Sequence, residues 1–236
     1  MPGRSGRPRQ IPLDLPTQPA SRREDFLEAP GNAAALALIE AAPGWTARTI
    51  CIVGPEGAGK SHLAAIFAAR TGGRILPASG LERAGVPQAL ATGALALEDI
   101  DRGPLEEAAL FHLLNLAREA GALLLLTSRV APAHLGFATA DLASRLRAVP
   151  VVEIGPAGDD LLAAVLVKLF ADRQVSVDAA TVQYLLLRMQ RSVAGAQRLV
   201  AAIDREALAA GRPVTRALAA QVLKAHPGLA VADEEE

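Results

Sequence analysis

The 236-residue sequence predicts an α/β domain with a parallel sheet, followed by a smaller all-α domain. Two patterns carry this reading. Between residues 48 and 154, short apolar runs of strand character alternate with helical patterns of about ten residues or more. That alternation builds a parallel sheet covered on both faces. After Gly155-Pro156 the strand-like runs stop and only helical patterns follow. Composition agrees: 51% of residues are apolar and 21% charged, which supplies a sizeable core and excludes global disorder.

Residues 1 to about 30 are rich in proline and arginine, lack periodicity and read as a flexible arm. The arm begins basic (Arg4, Arg7, Arg9) with no apolar stretch behind it, so it does not read as a secretory signal. Asn32 can cap a helix running to about Ala42, stopped by Pro43-Gly44. Arg48 to Val53 is β-branched and apolar, as a strand buried on both faces requires. Further strands are expected at Arg74 to Leu76, Ala94 to Glu98, Ala122 to Thr127 and Val149 to Ile154. Helices are expected at Ser61 to Arg70, Leu81 to Ala91 and Leu105 to Ala120, with a broken stretch from Ala133 to Arg147. The all-α part reads as Asp159 to Asp172, Asp178 to Met189, Val193 to Ala210 and Thr215 to Ala225, with acidic or hydroxyl residues at several starts. The tail Asp233 to Glu236 is acidic and expected to fray.

Several functions are disfavoured at once. Lys plus Arg total 24 against 25 for Asp plus Glu, a net charge of -1, which argues against a broadly basic nucleic-acid surface. Aromatics at 3% leave few rings for stacking unpaired bases. A single cysteine, Cys51, excludes a disulfide framework and a multi-cysteine zinc site. The longest wholly apolar stretch, near Ala122 to Leu126, is far short of the roughly 20 residues that span a bilayer. The expectation is a soluble, cytoplasmic protein without membrane contact.

The chemistry is concentrated in Gly54-Pro55-Glu56-Gly57-Ala58-Gly59-Lys60-Ser61, a full match to G-x-x-x-x-G-K-[ST] placed between a strand and a helix. Its glycines let backbone N–H groups turn toward phosphates, and the helix N-terminus adds a favourable dipole. Lys60 is positioned for the terminal phosphates of ATP or ADP and Ser61 for Mg²⁺, with His62 beside them. A second, acidic element is needed at the end of an apolar strand, and Glu98-Asp99 supplies it: one carboxylate for Mg²⁺, the other to orient or deprotonate the attacking water. Glu98 is assigned to the metal and Asp99 to the water. Thr127-Ser128, at another strand end, is placed to sense the terminal phosphate or that water. Arg145 is placed to project toward a neighbour's nucleotide.

Together these segments resemble the AAA+ domain of the DnaA family of replication proteins, from about Gln10 to Leu223. Leu95-Ala96-Leu97-Glu98-Asp99-Ile100 is similar to the family's LLIDDI segment, Leu126 to Pro132 to its sensor segment, and Leu142-Ala143-Ser144-Arg145-Leu146 to its arginine-finger segment. The stretch Asp141 to Leu146 particularly resembles the short, Hda-like regulators of the family. The resemblance implies a five-stranded AAA+ P-loop domain over 31–155, a helical lid over 156–226 and a tail over 227–236. It implies a lid sensor arginine at Arg191, with Arg198 in reserve. It also implies that Gln10-Ile11-Pro12-Leu13-Asp14-Leu15 is a clamp-docking peptide, with Gln10 at the pocket rim and Leu13 and Leu15 as apolar anchors.

Two departures from the family pattern matter. Glu98 replaces Asp, and Arg129 replaces the acidic residue of the sensor segment; both imply slow self-hydrolysis with nucleotide binding retained. The chain ends about ten residues after its last lid helix, so no origin-reading DNA module is expected. The implied function is a regulator that binds nucleotide and the polymerase sliding clamp and stimulates hydrolysis of DnaA-bound ATP through Arg145 in trans, with a homodimer possible. The alternatives are a self-sufficient AAA+ ATPase that remodels or loads replication proteins, and an adaptor for which nucleotide is only a structural ligand.

Overall fold

A computed structural model describes residues 22–231. The peptide carrying Gln10, Leu13 and Leu15 and the acidic tail from Asp233 lie outside them. The chain divides into two compact units, with the boundary between Pro156 and Ala157.

The first unit holds a five-stranded parallel sheet: β1 (Thr49–Val53), β2 (Arg74–Pro77), β3 (Ala94–Glu98), β4 (Leu123–Ser128) and β5 (Val151–Glu153), in the order β2-β3-β4-β1-β5. Its helices are α1 (Ala33–Glu40), α2 (Lys60–Thr71), α3 (Val86–Ala89), α4 (Glu107–Ala120) and α5 (Ala140–Arg147). The connection from β1 to β2 runs one way across the sheet, and every later connection runs the other way. Right-handed crossovers then require α2 on one face and α3 to α5 on the opposite face. The two cores obey this. Ile50, Ile52, Ala96 and Leu125 pack with α1 and α2, whereas Cys51, Leu95, Leu97, Leu124 and Leu126 pack with α3, α4 and α5. Alternate residues of one strand serve opposite cores because strand side chains alternate in direction. The reversal of connection direction falls between β1 and β4, and the carboxyl ends of strands at such a point form a ligand crevice.

The sequence expectations for β3, α6 (Asp159–Asp172) and α8 (Val193–Ala210) match the observed bounds, and most other elements shift by one or two residues. Two regions differ. The helix expected over Leu81 to Ala91 is instead one 3-10 turn, Arg83–Gly85, and the four-residue α3, because Gly85 and Pro87 interrupt the run. The arm expected to reach residue 30 is packed from Arg22 onward. Phe26 is buried in the α1–α2 core, and Asn32 does not cap α1. Its carboxamide accepts from the Ala29 N–H at 2.8 Å and donates to the Leu27 carbonyl at 3.0 Å, pinning this segment.

The second unit contains α6, α7 (Ala179–Leu186), α8 and α9 (Arg216–Ala225). Three helices start on side-chain caps: Asp178 accepts from the Thr181 N–H, Ser192 from Gly195 and Thr215 from Leu218, satisfying amides with no partner inside the helix. Leu162, Leu166, Phe170, Leu185, Leu199 and Ile203 are fully buried. Among the described residues no helix is long and apolar enough to cross a membrane.

Candidate functional site

The site lies at the carboxyl ends of β1, β3 and β4. Gly54 leaves β1 with its N–H bonded to the Ser128 carbonyl at 3.1 Å. A Cβ on Gly54 would come within 2.8 Å of the Ile154 carbonyl oxygen, so only glycine fits. Gly57 and Gly59 have φ of 74° and 100°, left-handed values that turn the loop into the first turn of α2. Lys60 is buried, and its ammonium donates to the Gly54 and Pro55 carbonyls at 2.7 and 2.9 Å. Burial pushes its pKa below the ordinary lysine value, while Asp99 and Asp101 pull it back up. Pro55, Glu56 and Ser61 are exposed along the loop and Ala58 is buried.

β4 lies between β1 and β3 and ties their ends together. Asp99 has φ of 57°, in the left-handed region that few residues other than glycine, Asn and Asp enter. Its N–H donates to the Thr127 hydroxyl at 3.0 Å, and the Ile100 N–H donates to the Thr127 carbonyl at 3.0 Å. Thr127 and Ser128 are both fully buried. The Thr127 hydroxyl, expected to sense phosphate or water, thus holds the backbone of Asp99. The Ser128 hydroxyl accepts from the Val130 N–H at 3.3 Å.

Glu98 stands at the last position of β3, and its Oε1 is buried without a hydrogen-bond partner among the described residues. An orphaned carboxylate oxygen is costly unless something compensates it. A hard cation such as Mg²⁺ takes oxygen donors and typically one or two carboxylates, the rest coming from water and phosphate. Glu98 and the Ser61 hydroxyl are such donors, so the residues fit that ion. No group of three His, Cys, Asp or Glu side chains poised for a metal occurs among the described residues.

The sequence pattern does not single out Asp101 and Arg102. Asp101, with its side chain only 4% exposed, accepts from Arg129 twice: from Nε at 2.6 Å and from the backbone N–H at 3.2 Å. Burial raises the Asp101 pKa, but the Arg129 hydrogen bonds and charge outweigh it and leave the carboxyl below its ordinary value. The charge reversal at Arg129 is therefore neutralised locally. The unusual sign at Arg129 was the signal available, because a cation there demands a nearby counter-charge. Arg102 pairs with Glu56 at 3.3 Å and approaches Asp99 at 3.9 Å. Cys51, in the middle of β1, is fully buried; its thiol is pushed up to about 12 by burial and by Asp101, against the opposing pull of Lys60.

The remaining candidates lie in other surroundings. His62 is engaged beside the loop: Nε2 is 2.8 Å from the Arg22 carbonyl oxygen, and the ring meets Phe26 edge-on at 5.2 Å. Phe26 also covers Gly59, whose Cβ would approach it to 3.3 Å. Arg145 sits in the last turn of α5, its guanidinium 4.8 Å from the centre of the Phe111 ring on α4. It makes no ion pair among the described residues. The N-terminus of α5 is held by the same helix, since the Glu107 carboxylate accepts from the Ala138 and Thr139 N–H groups at 2.8 and 2.9 Å. In the helical unit Arg191 pairs with Asp159, and Arg198 donates to the Gln190 side chain.

No family model and no curated protein matches the chain. Solved structures do. Domain III of the Thermotoga maritima replication initiation protein DnaA superposes with a TM-score of 0.74 at 17% identity, over 89% of this chain and 98% of that one. AMPPCP-bound DnaA from Aquifex aeolicus gives 0.61 at 22% identity, covering 78% of this chain and 65% of that one. The Thermotoga maritima RuvB Holliday junction branch migration motor gives 0.68 at 19% identity, over 87% and 72%. At these identities the likeness establishes the fold, an AAA+ P-loop domain with a five-stranded parallel sheet.

Proposed function

We propose that this chain binds ATP or ADP with Mg²⁺ at Gly54–Ser61 and acts as an Hda-like regulator that stimulates hydrolysis of DnaA-bound ATP in trans. The observation that carries the trans-acting part is Arg145, a guanidinium in the last turn of α5 with no carboxylate paired to it among the described residues. Placed against another chain's nucleotide, it supplies positive charge to the transferring phosphoryl group, worth about 10³–10⁵ in rate among nucleotide hydrolases.

In this chain's own site, Lys60 supplies the counter-charge to the phosphates, and Glu98 and Ser61 hold the ion. A Mg²⁺ ion held there would supply positive charge to offset that of the phosphates. Asp99 orients water, its backbone fixed by Thr127. Clamp docking is assigned to Gln10, Leu13 and Leu15, with Leu13 and Leu15 as the apolar anchors. The test is release of inorganic phosphate from purified DnaA loaded with ATP, measured with and without this protein and clamp-loaded DNA. Stimulation that requires both supports the reading, and stimulation by neither removes it. Replacing Gln10, Leu13 and Leu15 together by Ala is expected to abolish clamp binding without lowering the melting temperature.

A second reading, a self-sufficient remodelling ATPase, is favoured by one observation: the Asp99 backbone is held in a left-handed conformation beside the loop, as strained residues at functional sites often are. Rapid turnover by this protein alone would select it.

A further inference from the structure

We infer that Arg102 is a specificity-determining residue that distinguishes a triphosphate from a diphosphate at this loop, an inference that rests on the nucleotide reading of Gly54–Ser61. The argument begins with Glu56. An acid at the third position of a loop that cradles phosphates brings negative charge to a polyanion site, and it needs compensation. Arg102 supplies it at 3.3 Å, while its other terminal nitrogen lies 3.9 Å from Asp99. The base of Arg102 is fixed, because its N–H donates to the Asp99 carbonyl at 3.0 Å. One guanidinium thus joins the phosphate loop to the acid that follows β3.

Both partners are open to solvent, with side-chain exposures of 62% for Glu56 and 41% for Asp99. Ion pairs of this kind are individually weak, so a stronger anion can draw the guanidinium away. Which anion arrives depends on the ligand. In a loop of this type the lysine reaches the β- and γ-phosphates, and the acid that orients water stands at the γ-phosphate. A cation held against that acid meets the third phosphate, whereas a diphosphate ends before it. Guanidinium forks match phosphate oxygens in pairs, so a triphosphate gains a partner that a diphosphate lacks.

The experiment is calorimetric titration of the full chain with ATP and with ADP, each with Mg²⁺, for wild type, Arg102→Ala, Arg102→Lys and the double variant Glu56→Gln/Arg102→Ala. Arg102→Ala is expected to weaken ATP roughly fivefold while ADP affinity stays within about twofold, with Arg102→Lys in between. The double variant is expected not to recover the lost preference. Equal loss for both nucleotides, or recovery in the double variant, overturns the inference, since Arg102 would then only neutralise Glu56. Tight wild-type binding with no effect of Arg102 removes this inference alone. A wild-type protein that binds neither nucleotide removes the phosphate-site reading and this inference with it.

Discussion

Two arginines of the α/β unit stand in opposite surroundings. Arg129 has its Nε 2.6 Å from the buried Asp101 carboxylate, which also accepts from its backbone N–H. Arg145 has no carboxylate among the described residues and rests on the face of Phe111. An aromatic face attracts a guanidinium without consuming its N–H donors. Arg129 is therefore committed to Asp101 at the end of β4, while the N–H donors of Arg145 are not taken up by a carboxylate among the described residues. The sequence shows two arginines flanked by similar small and apolar residues; the difference lies in what the fold brings beside them.

The largest effect that can break this contrast is on stimulated hydrolysis. Arg145→Ala is expected to lower stimulation of initiator-bound ATP hydrolysis about 10³-fold, read as phosphate release, with its own nucleotide affinity unchanged. Arg145→Lys is expected to fail as well, because a point charge does not reproduce the planar fork. Full stimulation by both variants would make Arg145 a packing residue like many others.

Next in size is Lys60→Ala, expected to weaken ATP and ADP binding by about a hundredfold in calorimetry, through loss of the counter-charge buried under the loop. Undiminished affinity would mean that the matched charges around Asp99 and Asp101 serve the fold alone.

Asp101→Asn sharpens the Arg129 side of the comparison. It is expected to lower the melting temperature of the α/β unit by about 2–4 °C at pH 7, with little change in stimulation of the initiator. The pH dependence follows from the sign of the shift. The folded carboxyl titrates below its ordinary 3.8, so its contribution is complete above that value and lost as pH falls through the lower, folded one. Wild-type and Asn variant melting curves should therefore stay apart from pH 5 down to 3.8 and converge only as pH falls on through the lower, folded value. A gap that persists there would point to shape rather than charge.

The smallest expected effect concerns the mounting of Arg145. Glu107→Gln weakens the carboxylate that accepts from Ala138 and Thr139, and amide hydrogen exchange at those two positions should accelerate about threefold. Unchanged exchange would show that the Phe111 and core contacts of α5 suffice.

Much of this fold is legible in the chain because its periods are clean. Leu95 and Leu97 alternate with Ala94 and Ala96, and the phosphate loop announces itself between a β-branched run and a helix. Phe26 was not legible as a core residue, since one aromatic in an aperiodic, Pro-rich stretch has no pattern to join; its partners Gly59 and His62 lie more than thirty positions away. The roles of Asp101 and Arg102 were hidden for a related reason. Ion pairs between separate loops depend on strand order, and β4 lies between β1 and β3 in space although not in sequence. Glu98 and Asp99 read alike as neighbours, yet one presents a buried, unpartnered oxygen and the other a constrained backbone.

The state of Cys51 has a practical consequence. Burial in the middle of β1 pushes its thiol up to about 12, so the nucleophilic thiolate is disfavoured at ordinary labelling pH. It is also fully covered by protein. The native chain is then already a quiet background for site-directed labelling. A cysteine introduced at Ser144 would take a maleimide dye or spin label alone, and the approach of Arg145 to a partner could be followed as a distance without first removing the natural thiol.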